Sequence, residues 1–554
     1  MFDGTGTRDS GRRRTDARRT HSRHLLLLAL ISLIALSVSG AASLTVAQAQ
    51  PTRQLVIDTQ FDQLTADPAR DASNSSRYIR GLVYDTLTAV KPRLVNGRYQ
   101  VSLSSRPVPW LAQSYRSDRS GRVWTFNLRR NAVFSDGRPV TSADVVWSIR
   151  RVKNIKSAPA VVTETFAKIE AVGRYTVRIT TSIPNPAVPF LVSNKGVGII
   201  NSTVARQNGA TDGPNAAKTD KAQAFFDKNS LGSGPYILRT FSTTGTTVLA
   251  RNPRFWGAKP FYDQLVFRNV KPEIARLNIR SGRSDIAMGM TPDQASTLPG
   301  SVRVYRAPST TVFYMQANFK KSVSTLAANR NLWDAVRYGL NYQKLVRLAG
   351  AGAIQACGLL PRQFLGGLPP SACVKRDLAR ARAALARTGV QNPTLEIEFP
   401  TDYVLEGMSF ATISAAIQAD LKEIGLNVKL RGAPLTAWLP RWIDAKPHMV
   451  QGAQAAPYPD PNSASAYLPT GYRGQYAGYK ATDARDLTAL GVRAQRELNP
   501  QRRAALFRQL QQKFNRESPL IPQFQPSTII AANSRIKGVV VVPAFFIDPT
   551  ILSE

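Results

Sequence analysis

The fold is decided by the segment from Trp110 to Arg151, which reads WLAQSYRSDRSGRVWTFNLRRNAVFSDGRPVTSADVVWSIRR. It begins with a polar turn at Ser120-Gly121. After this turn Trp124, Phe126 and Leu128 alternate with polar residues, which is the period of a strand with one buried face. We therefore expect a half-buried strand here.

A second turn follows at Asp136-Gly137, and an apolar helical run begins after Thr141. The Thr141 side chain can cap the exposed N–H groups of this helix, and Asp144 lies favourably near the positive end of the helix dipole. The segment thus predicts a strand, a turn and a capped helix in compact order.

These pieces resemble the signature of the family 5 solute-binding proteins of ABC importers, a group that includes dipeptide, oligopeptide and nickel receptors. The signature is an LA-x-S-W start, a turn, a W/Y-x-F-x-L-R strand, an F-x-DG turn and a T-A-x-D-V helix. Each piece alone is common, but all five stand here in register. Further matching motifs run from about Leu55 to about Gln523, among them Gly232-Ser233-Gly234-Pro235-Tyr236 and Asn252-Pro253-Arg254-Phe255-Trp256.

The resemblance implies an α/β, periplasmic-binding-protein-like two-lobed fold with an additional inserted α/β domain. Carried onto this chain, it predicts a signal peptide (1–49), three pieces of the first lobe (50–95, 226–308 and 518–554), an inserted domain (96–225) and a second lobe (309–517).

The N-terminus has the layout of a secretory signal peptide. Six arginines between residues 12 and 23 precede an apolar stretch from Leu25 to Val38, and small residues lead to a predicted cleavage site near Ala49. The alternative is a retained membrane anchor, but the apolar stretch is shorter than the roughly 20 residues that a spanning helix needs. We expect export to the periplasm or the outer face of a bacterial cell envelope.

The low histidine content argues against a catalytic site that depends on histidine and against a metal site built from several histidines. His21 and His24 lie in the predicted signal peptide, which leaves only His448, without an H-E-x-x-H or G-x-S-x-G context. We therefore expect no enzyme activity, no metal site and no cofactor.

Cys357 and Cys373 are the only thiols, and a loop rich in proline and glycine separates them. In an exported protein two such cysteines are expected to form a disulfide, with two free buried thiols as the alternative.

The formal net charge of +37 can attract nucleic acid, anionic surfaces or acidic ligands. However, the basic residues are spread along the chain, without a long Lys/Arg block or a nucleic-acid-binding motif. We interpret the charge as a solvated arginine-rich surface and expect a monomer that does not bind nucleic acid.

The resemblance predicts an exported substrate-binding protein. It would capture a peptide-like or other small polar solute between two lobes and deliver it to ABC transporter permease subunits in the membrane. The alternative is a basic exported protein on the same fold that binds polyanions or acts as a surface interaction protein. The predicted ligand-binding residues are Ser73, Asn74, Met288, Tyr314, Gln316, Trp438, Gln454, Pro457 and Tyr458.

One position departs from the family pattern. Peptide receptors of this family carry W-x-A-D-Y-x-x-P, and their aspartate pairs with the peptide ammonium, whereas Pro457 stands at this place here. Proline offers neither a negative charge nor an N–H, so an ammonium desolvated there would lack its partner. We therefore expect no salt bridge at the amino end of a peptide ligand, unless Asp460 substitutes from three residues on. Oligosaccharides and other non-peptide solutes are further candidates.

Overall fold

The computed structural model describes residues 52–61, 65–71, 73–542 and 547–554. The predicted signal peptide lies outside these ranges. Within them, no helix combines the length and the apolar character that crossing a membrane requires.

The strands are β1 (Gln54–Thr59), β2 (Thr88–Ala89), β3 (Arg93–Val95), β4 (Arg98–Gln100), β5 (Val108–Pro109), β6 (Ala112–Ser117), β7 (Val123–Leu128), β8 (Phe166–Gly173), β9 (Thr176–Thr181), β10 (Tyr236–Thr240), β11 (Thr246–Arg251), β12 (Gln264–Asn269), β13 (Ile286–Met288), β14 (Val302–Pro308), β15 (Thr311–Ala317), β16 (Ile354–Gln355), β17 (Thr394–Pro400), β18 (Val404–Leu405), β19 (Met408–Ser409), β20 (Asn427–Ala433), β21 (Met449–Ala455), β22 (Leu520–Gln525) and β23 (Ser527–Asn533).

The α-helices are α1 (Asn74–Val83), α2 (Ser142–Ile155), α3 (Val188–Leu191), α4 (Ser202–Gln207), α5 (Ala216–Thr219), α6 (Gln223–Phe226), α7 (Pro272–Arg280), α8 (Pro292–Ser296), α9 (Arg330–Gly339), α10 (Tyr342–Leu348), α11 (Leu378–Ala386), α12 (Phe410–Lys422), α13 (Leu435–Ile443), α14 (Tyr472–Tyr476), α15 (Arg485–Arg496) and α16 (Pro500–Glu517). The 3-10 helices are Ala158–Thr163, Lys195–Val197, Pro370–Ala372, Pro461–Tyr467, Ala481–Ala484 and Pro549–Ile551.

Two large sheets define two lobes. The first lobe contains a seven-stranded sheet in the order β10-β11-β12-β1-β13-β23-β14, and the second lobe contains a six-stranded sheet in the order β16-β22-β15-β21-β17-β20. Both are mixed sheets: β1 runs parallel to β12, and β17 runs parallel to β20, whereas β15 is antiparallel to β21 and β22. The two-lobed α/β architecture predicted from the sequence is confirmed.

The chain passes between these two sheets at two neighbouring places. One is the step from β14 to β15, and the other is the step from β22 to β23. Pro308 pairs with Ser527 in the first sheet, and the Ser309 amide donates to the Pro526 carbonyl at 2.8 Å. The crossings therefore lie side by side and are only one or two residues long.

The signature segment supplies β6, β7 and α2 of the inserted domain. In this domain α2 packs against a four-stranded antiparallel sheet in the order β6-β7-β9-β8. The strand β7 alternates as predicted, with Trp124, Phe126 and Leu128 all buried. At the start of α2, Asp144 accepts hydrogen bonds from the Thr141 amide (3.0 Å) and hydroxyl (2.7 Å). These bonds fix the helix start that the sequence predicts.

Four sequence expectations differ from the structure. The strand β22 belongs to the second lobe, although its residues fall in the piece predicted as 518–554 of the first lobe. The chain returns to the first lobe only at Pro526, between the buried strands β22 and β23, and not at Ser518. Ala205, Ala210 and Ala222 pack in the first lobe's core, although they fall within the predicted insertion, 96–225. The remaining predicted domain boundaries stay predictions.

The third and fourth differences concern local structure. The sequence alternates from Ala171 to Thr180 and predicts one strand, but the chain turns at Arg174-Tyr175 and forms the hairpin β8–β9. Val172 is accordingly 42% exposed, whereas Val177 is fully buried. The continuous apolar run Val539–Val542 also predicts a strand, but within the described ranges it contributes no strand, and β23 is the last strand there.

Candidate functional site

Two cavities lie between the lobes, on either side of helix α1. The larger has a volume of about 620 Å³ and is lined by Ser75, Tyr78 and Met288 of the first lobe and by the β18–β19 hairpin of the second. The smaller has a volume of about 420 Å³ and is lined by residues of the first lobe, the inserted domain and the second lobe. Both volumes are in the range of ligand sites for small solutes.

The first-lobe wall of the 420 Å³ cavity consists of Asp71, Arg77 and Arg80. Asp71 accepts hydrogen bonds from the Ser73 amide (2.7 Å) and hydroxyl (2.9 Å), which anchors the start of α1. Arg80 is buried and donates to the carbonyl of Asp67 at 2.9 Å. Burial lowers the pKa of Arg80 to about 10, so its guanidinium remains charged at neutral pH.

The second-lobe wall is built by the end of β21 and by the short helix α14. β21 places Gln454 and Ala455 at the cavity, and α14 places Tyr472 and Tyr476 there. Between them, the Arg473 Nε donates to the Gln454 Oε1 at 2.7 Å. This wall therefore combines an amide, two phenol rings and an adjacent guanidinium.

Arg473 lies among aromatic rings. Its guanidinium carbon is 4.3 Å from the ring centre of Trp442, 5.2 Å from that of Tyr472 and 5.5 Å from that of Tyr476. Burial alone lowers the pKa of Arg473, but the surrounding tyrosines hold the pKa above its ordinary value. Arg473 is therefore cationic at neutral pH.

The inserted domain closes one side of this cavity. The Asn194 side-chain amide donates to the Pro457 carbonyl at 2.7 Å, and Asn462 of the second lobe donates to the Asn185 Oδ1 at 3.2 Å. Tyr458 packs against the core of the inserted domain. The second lobe and the inserted domain are thus in direct contact beside the cavity.

Comparison with known proteins identifies the group to which this arrangement belongs. The model of the bacterial extracellular solute-binding proteins, family 5 Middle, matches residues 106–475, more than half of the chain. The chain belongs to this family.

Relatives and solved structures agree with the family assignment. The probable D,D-dipeptide-binding periplasmic protein DdpA of Escherichia coli is 28% identical over 409 residues, which is 73% of each chain. The fold matches the ABC transporter substrate-binding protein CtaP of Listeria monocytogenes with a TM-score of 0.75 at 20% identity, over 90% of this chain and 98% of that one. It also matches DppA of Helicobacter pylori, solved in complex with the peptide STSA, with a TM-score of 0.71 at 21% identity, over 90% and 98%.

In this family 5 protein five of the predicted ligand residues lie at or near the two cavities, and the other four do not. Gln454 and Pro457 line the 420 Å³ cavity, and Met288 lines the 620 Å³ cavity. Ser73 and Asn74 stand at the start of α1, and later residues of this helix line both cavities. Their contact with a solute stays a prediction.

The remaining residues lie away from the cavity linings. Tyr314, Gln316 and Trp438 are buried within the second lobe, and Tyr458 lies against the inserted domain. Burial raises the pKa of Tyr314 to about 12, as expected for a phenol without access to water. None of the four lines either cavity, and their contact with a solute stays a prediction.

Sequence reasoning missed the residues of helix α14. Tyr472, Arg473 and Tyr476 follow the Y-R-x-x-Y pattern, whose first and last members share one helix face. That spacing indicates a tyrosine pair beside an arginine, but it does not show which cavity the pair faces. The strand β21 lies inside the six-stranded sheet, and its end brings Gln454 to Arg473, 19 residues further along the chain, without a local sequence signal.

Asp460 has a structural partner. Its two carboxylate oxygens accept from Arg503 at 2.9 Å (Nη1) and 2.5 Å (Nη2), and the whole side chain is buried. The Asp460 Oδ1 also accepts a hydrogen bond from the backbone N–H of Asn462 at 2.8 Å. Asp460 is thus engaged in a bidentate ion pair, and it does not line the cavity beside Pro457.

The predicted disulfide is confirmed, since Cys357 and Cys373 are joined. The bridge closes a loop with a sequence separation of 16 residues in the second lobe. In the chain-entropy description a loop of this size stabilises the folded state by about 3 kcal/mol.

Proposed function

We propose that this protein captures a small polar solute in the 420 Å³ cavity between its lobes and delivers it to the permease of an ABC importer. The cavity itself carries the proposal, because it is bounded by both lobes and by the inserted domain. The two lobes are joined by two short adjacent crossings, an arrangement that permits hinge closure. A solute that contacts both walls favours the closed arrangement.

The protein acts by binding, without catalysis, in the periplasm or on the outer face of the cell envelope. The family is one of solute-binding proteins, and relatives of similar length are named as periplasmic peptide-binding and nickel-binding proteins. His448, the one histidine outside the predicted signal peptide, does not line either interlobe cavity. A permease partner would recognise the closed form.

The solute is peptide-like or another small polar molecule, and a peptide would be bound without a salt bridge at its amino end. Pro457 at the cavity offers no charge, and Asp460 is engaged by Arg503. An ammonium group at this place would be desolvated without a carboxylate partner, which disfavours binding of a free amino terminus.

The net charge of +37 favours a second candidate function, the binding of polyanions at the protein surface. Small-angle X-ray scattering separates the two functions. A solute receptor is expected to decrease in radius of gyration when a small solute is added and to remain unchanged with a polyanion such as heparin. Heparin binding that persists well above physiological salt, together with no compaction by any small solute, would favour the second function.

A further inference from the structure

The surroundings of Arg473 differ from those of two other arginines that are engaged in ion pairs, Arg151 and Arg503. Arg151 is fully buried and bound by Asp67 and Asp220, and Arg503 is nearly fully buried and bound by Asp460. Arg473 is partly buried, yet among the described residues no carboxylate lies within salt-bridge distance of it. Its hydrogen-bond partner is the neutral amide of Gln454.

A partly desolvated guanidinium without a carboxylate partner is costly, and aromatic rings offset only part of that cost. Gln454 accepts from Nε, and this bond fixes the plane of the guanidinium while leaving its terminal N–H groups for another acceptor. A guanidinium held in this way presents a fork that matches the two oxygens of a carboxylate.

Arg473 is not itself among the residues that line the 420 Å³ cavity, but it lies directly behind that lining. Gln454, Tyr472 and Tyr476 surround Arg473, and all three line the cavity. The Arg473 side chain is only partly buried, so a small solute in the cavity can approach its terminal N–H groups. The opposite wall contributes Arg77 and Arg80 against the single carboxylate of Asp71, which already accepts two hydrogen bonds from Ser73. The lining therefore carries more positive than negative charge and favours an anionic solute.

We propose that the solute of this cavity carries a carboxylate, and that Arg473, oriented by Gln454, binds that carboxylate. The proposal rests on the proposed solute-receptor function and narrows its substrate class to small polar acids. Two sources supply this chemistry: the carboxyl end of a short peptide, and a sugar acid or similar hydroxy acid. If either kind of solute is bound through its carboxylate at Arg473, the part of the solute next to Pro457 needs no charged partner.

The test uses solutes in matched pairs that differ only in the carboxylate. The pairs are alanyl-alanine and its amide, N-acetyl-alanyl-alanine and its amide in both the L and D forms, and galacturonic acid and galactose. Each is added to the exported chain, and binding is measured by the shift in melting temperature and by calorimetry. The acid of at least one pair is expected to bind tenfold or more tightly than its neutral partner, and the pair identifies the source of the carboxylate.

Three variants assign the preference to this site. Arg473→Gln is expected to lower acid affinity at least tenfold and to abolish the difference between acid and neutral partner. Gln454→Glu supplies an internal carboxylate 2.7 Å from Nε, so it should fold at least as stably as the native chain and lose acid affinity by a similar factor. Arg380→Gln is the matched control, because Arg380 is an exposed arginine 3.8 Å from the ring of Tyr338 in the second lobe, away from the cavity. It should bind acids as the native chain does.

The outcomes separate this proposal from the proposed function. Equal binding of acid and neutral partners, or an acid preference that survives both Arg473→Gln and Gln454→Glu, would overturn the carboxylate site and leave the solute receptor intact. Absence of binding by every pair, with no change in radius of gyration, would overturn both.

Discussion

Two arginine sites in this molecule show how the same side chain serves different purposes. Arg151, at the junction of the inserted domain and the first lobe, donates to both oxygens of Asp67 (2.7 and 2.6 Å) and to Asp220 (2.8 and 3.0 Å). Burial alone lowers its pKa, but these two carboxylates raise the pKa above its ordinary value. Arg473, at the interlobe cavity, has aromatic rings and one amide around it.

The difference separates a group that holds the fold from one that is available to a solute. Every face of the Arg151 fork is used within the protein. Its removal leaves two buried carboxylates with Arg70 as their remaining cation, at 3.3 Å from Asp67 and 2.9 Å from Asp220. Removing Arg473 leaves no buried opposite charge among the described residues. We therefore expect Arg151 to govern stability and Arg473 to govern binding.

The largest effect is expected for Arg151→Met. Breaking a buried ion pair by removing one partner costs about 3 to 5 kcal/mol, so the free energy of unfolding should fall by that amount. Urea unfolding measures it, with Arg150→Met as the control, since Arg150 is the exposed neighbour on the same helix and should change stability by less than about 0.5 kcal/mol. Similar stability of the two variants would contradict the structural role of Arg151.

A smaller loss is expected for Asp460→Asn. The amide keeps the shape of the side chain but weakens the charge-assisted bonds to Arg503, which costs about 2 to 3 kcal/mol. Binding of peptides with free and acetylated amino ends, compared by calorimetry, should show the same ratio before and after the substitution. A strong preference for the free amine that Asp460→Asn abolishes would show that Asp460 contacts the solute.

A still smaller loss of stability is expected for Arg473→Met. It removes cation–π contacts and one hydrogen bond, together about 1 kcal/mol, while lowering the cost of desolvating the charge. Urea unfolding without added solute measures this change. A loss as large as that of Arg151→Met would end the distinction between the two sites, because Arg473 would then be a structural residue.

The sequence predicts the elements that hold the fold better than it predicts the residues that are available to a solute. The alternation of Trp124, Phe126 and Leu128 and the cap at Thr141 depend on local physics, and both appear as expected. Position 457 was also found from the sequence, because a motif brings it into register. Arg473 was not found, since its meaning depends on Gln454 and Trp442, which distant segments bring to it.

The same limit applies to two other predicted ligand residues, whose contact with a solute stays a prediction. Tyr314 and Trp438 have the composition of an aromatic binding wall, but their strand and helix place them inside the second lobe. Alternation shows that one face of an element is buried, and it does not show whether a core or a solute covers that face.

The smallest expected effect concerns Glu406. A substitution there tests whether a charged side chain at the 620 Å³ cavity affects the stability of the fold. Its Oε1 accepts from Ser309 at 2.8 Å and from Thr311 at 3.3 Å, next to the first crossing, and it lines the 620 Å³ cavity. Burial raises the pKa of Glu406, against the opposing effect of these hydroxyl bonds. The folded state therefore prefers the protonated carboxyl, and this contribution to stability is lost as pH rises through the raised pKa.

Glu406→Gln should consequently be more stable than the native chain at neutral pH, by about 0.5 kcal/mol. The difference should shrink towards zero as pH falls below the ordinary glutamate pKa of about 4.3. Melting temperatures of both proteins across this pH range measure it. A difference that does not depend on pH would contradict the raised pKa.

The most direct test of the account is hydrogen–deuterium exchange with and without the acid identified from the matched pairs. If the solute occupies the 420 Å³ cavity, protection should increase in α1, at the end of β21 and in α14, whose residues line that cavity. Protection confined to the β18–β19 hairpin and the segment after Met288 would place the solute in the 620 Å³ cavity and contradict the central claim.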